Sequence, residues 1–200
     1  MTPPFRLYLI TDRTLVPDLP AAVDRALSAI PRGAAAVQLR EKDLPARALL
    51  ELARAVAPKC RRHGAPLLVN DRIDVALAAG ADGVHLAGSS VSVTDARALL
   101  GGRWIGASCH DADELDRAAG ADFATFGPVF PSRGKPHAVG LGALASRALG
   151  LPLFALGGID PSNAKAAMEH GAHGVAAIRS WLEGDPADSA ARLYEAIAAS

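Results

Sequence analysis

The chain has few cysteines, few aromatic residues and no excess of charge of either sign. Two cysteines in 200 residues, Cys60 and Cys109, are too few and too isolated for a disulfide framework or a cysteine metal cluster. Lysine and arginine total 21, and so do aspartate and glutamate, so the chain has no broad basic surface for nucleic acid or an acidic membrane. Small anions held by a few local cations fit this balance, and we expect no nucleic-acid partner.

Long hydrophobic runs are missing as well. No early apolar segment is long enough to cross a bilayer, and Met1-Thr-Pro-Pro4 lacks the basic start and apolar centre of a secretion signal. These absences predict a cytoplasmic protein without a membrane partner. Hydrophobic residues nevertheless make up 50% of the chain, which is enough to bury the core of one domain over residues 1–200. A homodimer is left open.

Short apolar runs alternate with alanine-rich segments of helical spacing. The runs predict eight strands, at Leu7–Ile10, Ala36–Leu39, Leu67–Val69, Gly83–Leu86, Trp104–Ala107, Phe123–Phe126, Leu153–Leu156 and Gly174–Ile178. Between them, helices are predicted over segments such as 46–62 and 163–170. One strand and one helix per about 25 residues predict an α/β fold, a single closed (β/α)8 TIM barrel. An open doubly wound sheet is the alternative, but Thr11-Asp-Arg-Thr14 is not the glycine loop that it requires.

Four Gly-Ala pairs repeat along the chain, each just before an even-numbered predicted strand. They begin at Gly33, Gly80, Gly120 and Gly171. Glycine at these points predicts a left-handed residue that ends the preceding helix. The spacing suggests a barrel built from repeated pairs of strand-helix units.

Polar residues follow the predicted strands, at the end where parallel barrels carry their chemistry. The segment Val37-Gln-Leu-Arg-Glu-Lys42 places two cations beyond the second strand. The later strands end in amide, carboxylate, hydroxyl, imidazole, cationic and glycine groups, namely Asn70, Asp71, Ser108, His110, Ser132, Lys135, Gly157, Gly158, Arg179 and Ser180. A rim of this composition predicts a pocket for a phosphorylated small molecule.

Five motifs resemble, in the same order, those of the thiamine phosphate synthase family and of its close relative, the thiazole tautomerase. They are Val37-Gln-Leu-Arg-Glu-Lys42, Val69-Asn-Asp71, Gly80-Ala-Asp-Gly-Val-His-Leu86, Gly127-Pro-Val-Phe-Pro131 and Leu156-Gly-Gly-Ile159. The resemblance covers almost the whole chain. It implies a transferase of thiamine biosynthesis that joins hydroxymethylpyrimidine diphosphate to a thiazole phosphate and releases pyrophosphate, with magnesium on the leaving group.

The resemblance also implies a role for each residue of the rim. The diphosphate would be held by Arg40, Lys42, Asn70 and Lys135. The pyrimidine would be placed by Gln38 and Ser108, and Asp71 would bind Mg²⁺, since a hard cation prefers carboxylate oxygen. The thiazole phosphate would be held by Gly157, Gly158 and the amides near Arg179 and Ser180.

Three positions depart from the synthase pattern. Ser90 stands where the family has a second magnesium-binding aspartate, Ser132-Arg-Gly-Lys135 replaces Thr-x-Thr-Lys, and Arg179 replaces a serine. The loss at Ser90 predicts weaker magnesium binding.

The serine-rich loop around Ser90 instead resembles the tautomerase, which aromatises a thiazole carboxylate phosphate without metal and whose catalytic histidine corresponds to His110. A non-catalytic paralogue that binds thiamine precursors is the third alternative. The retained diphosphate residues favour the synthase.

Each candidate residue also has a purely structural interpretation. Arg40 and Glu41 could form a solvated ion pair, and Asp71 could cap the helix that begins near Ile73. His85 lies within a strand pattern and is interpreted as a packed, hydrogen-bonded residue. Strand alternation directs Cys109 away from its neighbours Ser108 and His110, which argues against a reactive thiol, and Cys60 is predicted on a helix surface or partly buried.

Overall fold

In the computed structural model, which describes residues 2–132, 136–145 and 150–198, the strands form one closed parallel barrel. Each strand pairs with the next along the chain, and the eighth pairs with the first. The strands are β1 (Leu7–Ile10), β2 (Ala35–Leu39), β3 (Leu67–Asn70), β4 (Gly83–Leu86), β5 (Trp104–Cys109), β6 (Phe123–Phe126), β7 (Leu153–Leu156) and β8 (Gly174–Ala177). The predicted single (β/α)8 barrel is therefore confirmed.

Helices follow the strands and cover the outside of the barrel. Within the described residues they are α1 (Leu19–Ser28), α2 (Ala46–Arg62), α3 (Ile73–Ala79), α4 (Val93–Leu100), α5 (Ala112–Arg117), α6 (Gly142–Ala145), α7 (Ala164–Glu169), α8 (Arg179–Leu182) and α9 (Pro186–Ala198). No helix in this part of the chain has the length and apolar character that a bilayer span requires.

The predicted strands differ from the observed ones only at their ends. β5 continues two residues further than predicted, to Cys109, and Ile178 precedes α8 instead of ending β8. All four repeated glycines have positive φ, and Gly80 is the left-handed residue that ends α3, as predicted.

In most strands, alternate residues enter two different hydrophobic clusters. In β1, Leu7 and Leu9 pack outward under the helices, whereas Tyr8 and Ile10 point into the barrel. The inner cluster is rich in aromatic rings, and the ring centroids of Phe123 and Phe154 are 5.2 Å apart. These rings fill the barrel interior beneath the carboxyl ends of the strands, so the opening lies at those ends.

The prediction for Cys60 is wrong. Its side chain is 0% exposed, because helical spacing places it on the inner face of α2 with Ala53 and Val56. Burial raises the pKa of the Cys60 thiol to about 12. Cys109 is buried as well, and burial raises its thiol pKa to about 12, so neither thiol has the character of a nucleophile.

Candidate active site

A cavity of about 490 Å³ opens at the carboxyl ends of the strands. A second cavity, of about 240 Å³, adjoins it and shares Arg40, Ser132 and Gly157 with it. Among the residues predicted from the sequence, the first cavity gathers Gln38, Arg40, Lys42, Asn70, Ser108, His110, Ser132 and Gly157. The second adds Gly158, Arg179 and Ser180. The predicted rim is thus one continuous site over most of the barrel mouth.

Among the described residues of the predicted set, Asp71 is the one outside these linings. Lys135 falls outside the described residues. Asp71 follows β3 at the rim, beside Asn70, which lines the larger cavity. Its carboxylate accepts a hydrogen bond from the Ser90 hydroxyl, in the loop that supplies Gly88 and Ser89 to the cavity wall. Asp71 therefore borders the cavity.

The backbone at Asp71 is unusual for a residue other than glycine. Its φ is 63°, and its amide donates to the carbonyl of His85 over 2.9 Å. The interpretation of Asp71 as the cap of α3 is wrong, because Arg72 occupies the cap position and no side chain caps that helix. A strained backbone that holds a carboxylate at the rim is a feature of binding sites.

Arg40 is positioned by a buried hydrogen-bond chain. The Arg40 amide donates to Thr11 Oγ1 over 2.9 Å, and the Thr11 hydroxyl donates to Glu41 Oε1 over 2.6 Å. Glu41 also accepts the backbone amide of Arg13. The predicted solvated pair of Arg40 and Glu41 is wrong, because the Glu41 side chain is 2% exposed and its ion-pair partner is Arg13. Arg40 is left half-buried and directed to the cavity.

The floor of the larger cavity is a polar network inside the barrel. Gln38 Nε2 donates to the Tyr8 oxygen over 3.2 Å, and that oxygen is 3.2 Å from His85 Nδ1. His85 Nε2 is 3.0 Å from Ser108 Oγ. Thr125 Oγ1 is more distant, at 3.4 Å from Nε2. The packed and hydrogen-bonded His85 predicted from the sequence is confirmed, and the residue also lines the cavity.

Burial sets the protonation of the two rings in this network. The pKa of His85 is lowered to about 3, first by burial and then by the charge of Arg40. Burial also raises the pKa of the Tyr8 phenol far above its usual value, while the hydrogen bond from Gln38 acts against that shift. At neutral pH the imidazole and the phenol are both uncharged.

His110 lies at the opposite wall of the cavity, after β5. Its side chain is 48% exposed, and its Nδ1 is 2.9 Å from Glu114 Oε2. The same carboxylate oxygen accepts the His110 backbone amide over 2.6 Å. Glu114 therefore fixes both the backbone and the ring of His110 at the cavity mouth.

The smaller cavity is formed by a tight backbone turn and an unpaired hydroxyl. A side chain at Gly157 would approach Pro128 to 2.5 Å, and one at Gly158 would approach the Pro131 carbonyl to 2.5 Å. The two glycines thus allow the chain after β7 to pack against the loop after β6. The Ser180 hydroxyl is buried and has no hydrogen-bond partner within the described residues. Arg179 also lines this cavity, and its guanidinium group pairs with Glu183 over 2.8 Å.

Sequence reasoning missed several residues that shape the site. Thr11 and Glu41 position Arg40, and Tyr8 and Thr125 belong to the cavity floor. Thr11 carried a usable signal, since it is the first polar residue after β1, at the same end of the barrel as the other site residues. Tyr8 carried no signal that the sequence could reveal, because its partner His85 is 77 residues away.

Several known proteins are similar to this chain over most of its length. A family model described as thiamine monophosphate synthase matches residues 7–181. A Geobacter sulfurreducens protein provisionally named thiamine-phosphate synthase is 50% identical over 200 residues, covering 94% of this chain and 92% of the relative. The thiamine-phosphate synthase of Chlorobium luteolum is 41% identical over 202 residues, covering 96% and 92%. A solved structure of thiamine phosphate pyrophosphorylase from Pyrococcus furiosus superposes with a TM-score of 0.89 at 31% identity, covering 98% of this chain and 96% of the other.

Proposed function

Because this chain belongs to the thiamine monophosphate synthase family, we propose that it is the transferase of thiamine biosynthesis that couples hydroxymethylpyrimidine diphosphate to a thiazole phosphate and releases pyrophosphate. The observation that carries the proposal is the pair of adjoining cavities at the barrel mouth, which share Arg40. Two phosphorylated substrates that react with each other need two neighbouring anion sites. A simple isomerase needs one.

The larger cavity is proposed to hold the pyrimidine diphosphate. Arg40, Lys42 and Asn70 line one side and supply two cations and an amide to the diphosphate. These groups stabilise the negative charge that develops on the pyrophosphate as the carbon-oxygen bond breaks. By resemblance, Lys135 adds a third cation. Gln38 and Ser108 lie deeper in the cavity and would orient the pyrimidine ring.

The smaller cavity is proposed to hold the thiazole phosphate. The glycine turn at Gly157 and Gly158 and the start of α8 surround a space of about 240 Å³ with backbone groups. The Ser180 hydroxyl, which has no partner among the described residues, supports this assignment, since a buried hydroxyl without a partner costs free energy until a ligand accepts its hydrogen. The shared wall would bring the thiazole nitrogen next to the pyrimidine methylene carbon.

The donor set fits a magnesium ion that is held mainly by its substrate. Asp71 supplies one carboxylate at the rim, and Ser90, which by resemblance stands at the position of a second family acid, supplies a hydroxyl. Magnesium commonly binds through one or two carboxylates, substrate phosphate oxygens and water, so one carboxylate suffices. When bound, the ion neutralises charge on the leaving pyrophosphate. Asp71 is the residue proposed to hold it.

The remaining chemistry needs orientation and not a protein nucleophile. An electron-rich pyrimidine can stabilise the methylene cation that forms when pyrophosphate leaves, and the thiazole nitrogen then attacks that carbon. The buried thiol of Cys109 keeps a raised pKa and takes no part. His110, held by Glu114, is available at the cavity mouth to exchange a proton with the leaving group.

An assay of pyrophosphate release tests the proposal. Purified protein with Mg²⁺ and both phosphorylated heterocycles should release pyrophosphate, and omission of the thiazole phosphate should stop the release. No release at high enzyme concentration would contradict the synthase. Conversion of the non-aromatic thiazole carboxylate phosphate to its aromatic isomer, with no coupling, would identify the tautomerase instead. Calorimetric binding of the substrates with neither reaction would identify a binding paralogue.

A further inference from the structure

The floor of the larger cavity contains a chain of four side chains that are linked by hydrogen bonds. Along this chain, Gln38 Nε2 contacts the Tyr8 oxygen, that oxygen contacts His85 Nδ1, and His85 Nε2 contacts Ser108 Oγ, at separations of 3.0 to 3.2 Å. Tyr8, Gln38 and His85 are at most 1% exposed. Their hydrogen bonds are therefore made to one another, and the position of each hydrogen affects the next.

The direction of these hydrogen bonds follows from the amide of Gln38. An amide nitrogen only donates, so the Tyr8 oxygen accepts from Gln38 and directs its own hydrogen to Nδ1 of His85. Nδ1 then carries no hydrogen, and an uncharged imidazole keeps its single hydrogen on Nε2. Nε2 donates that hydrogen to Ser108 Oγ. The hydroxyl hydrogen of Ser108 is left to point into the cavity.

Packing holds the His85 ring in the orientation that this chain requires. A side chain at Gly106 would lie 2.5 Å from His85 Nδ1, so the glycine makes room for the ring. The ring of Tyr8 packs edge-to-face on Phe123, with centroids 5.2 Å apart. The His85 ring also lies beside Phe123, with centroids 6.0 Å apart, so both rings pack against the same phenylalanine.

We propose that Tyr8 and His85 are positioning residues that fix which group at the cavity floor donates and which accepts, so that Gln38 Oε1 accepts from the heterocycle and the Ser108 hydroxyl donates to it. The matching ligand edge has an N–H donor next to a bare ring nitrogen, as in an aminopyrimidine. The inference rests on the proposed function, since it assigns this edge to the substrate of the same cavity. If the side-chain amide of Gln38 were flipped, so that Oε1 faced Tyr8, every hydrogen bond in the chain would reverse. The floor would then bind a ligand edge in which an acceptor faces Gln38 and a donor faces Ser108.

Nitrogen-15 NMR of the histidine rings tests the direction on the intact, ligand-free protein. At neutral pH, His85 Nδ1 should have the chemical shift of a bare ring nitrogen and Nε2 that of a protonated one. The reversed assignment, with hydrogen on Nδ1, would overturn the proposal. This measurement needs no turnover, so it is decided independently of whether the protein is a synthase.

Removal of the Tyr8 hydroxyl gives a second test, with the chain's other tyrosine as its control. Tyr8→Phe should raise the KM for the pyrimidine diphosphate about tenfold, the size of one mismatched hydrogen bond, and leave the KM for the thiazole phosphate unchanged. Tyr194 lines a cavity with Arg6 and Ala34 at the other end of the barrel, so Tyr194→Phe should change neither constant. Equal changes in both KM values for Tyr8→Phe, or no change in either, would overturn the proposal.

An altered substrate extends the same test without changing the protein. A pyrimidine diphosphate whose exocyclic amine is replaced by an oxygen acceptor should bind the wild-type protein at least about tenfold more weakly, because two acceptors then face each other at Gln38. The loss of affinity should be smaller in Tyr8→Phe, because the Gln38 amide can rotate by 180° once the Tyr8 oxygen is absent. Equal discrimination by both proteins would contradict the role of Tyr8.

Discussion

The Ser90 hydroxyl donates a hydrogen bond to the carboxylate of Asp71 at the rim of the larger cavity. By resemblance to the synthase family, Ser90 stands at the position of a second acid, and its hydrogen bond shows that a side chain there reaches the proposed magnesium ligand. A carboxylate at position 90 would lie beside that of Asp71. Two neighbouring carboxylates attract a divalent cation more strongly than one does.

Ser90→Asp should therefore lower the magnesium concentration that gives half-maximal pyrophosphate release, by about tenfold or more. Titration of the activity with Mg²⁺ measures the change. Ser90→Asn is the matched control, because it adds similar volume without charge and should leave the requirement near that of the wild type. An identical requirement in Ser90→Asp and the wild type would remove Asp71 as the ligand.

Thr11→Val should destabilise the protein and weaken binding of the pyrimidine diphosphate. Thr11 is 0% exposed, and loss of its hydroxyl leaves the Arg40 amide without the acceptor that it now has and removes one of the hydrogen bonds to Glu41 Oε1. A buried polar group without a partner costs about 1 to 3 kcal/mol, which chemical denaturation can measure.

Thr14→Val removes the same hydroxyl from an exposed threonine three residues away and serves as the control. Its free energy of unfolding should change by about 0.5 kcal/mol or less. Similar losses in both variants would show that the buried chain from Thr11 to Glu41 is not what holds Arg40.

The stability of the protein should fall as the pH decreases below about 6.5, in part through His85. The folded-state pKa of this residue is about 3, below its ordinary value of 6.5. Between the two values only the unfolded chain takes up the proton, so the free energy of unfolding rises with pH across this window. Above this window the stabilisation that comes from His85 is fully present.

The contribution of His85 has a slope of about 1.4 kcal/mol per pH unit within that window. His85→Asn should remove this slope, although it also lowers stability at neutral pH. Denaturant unfolding at several pH values between about 4 and 7 tests the difference. Parallel stability curves for the variant and the wild type would mean that His85 does not stay uncharged in the folded protein.

Gly157→Ala should impair the site of the thiazole phosphate. Gly157 has a φ of 97°, and an added carbon would lie 2.5 Å from Pro128, so the turn must shift. We expect a loss of about 1 to 3 kcal/mol in stability and a higher KM for the thiazole phosphate. Gly140→Ala is the control, because Gly140 has a similar φ of 78° but open space around it. If the two variants behaved alike, the close approach to Pro128 would have no functional role.

Much of the fold follows from the sequence because each strand is a short buried run with a local signal. β4, β6 and β7 have the predicted bounds, and the rim residues follow because parallel strands place their ends at one mouth. What positions those residues could not be predicted. Glu41 has the sequence of a surface acid, and only the approach of Thr11 and Arg13, 28 to 30 residues away, buries it. The same holds for Tyr8 and His85, which meet across the barrel.

The coupling reaction itself is tested most directly by phosphorus-31 NMR of one mixture of the purified protein, Mg²⁺ and both substrates. The diphosphate ester signals should disappear, while free pyrophosphate and a new phosphate monoester of the coupled product appear in equal amounts. A mixture in which the diphosphate ester persists, or in which it yields inorganic phosphate and no coupled product, would contradict the account.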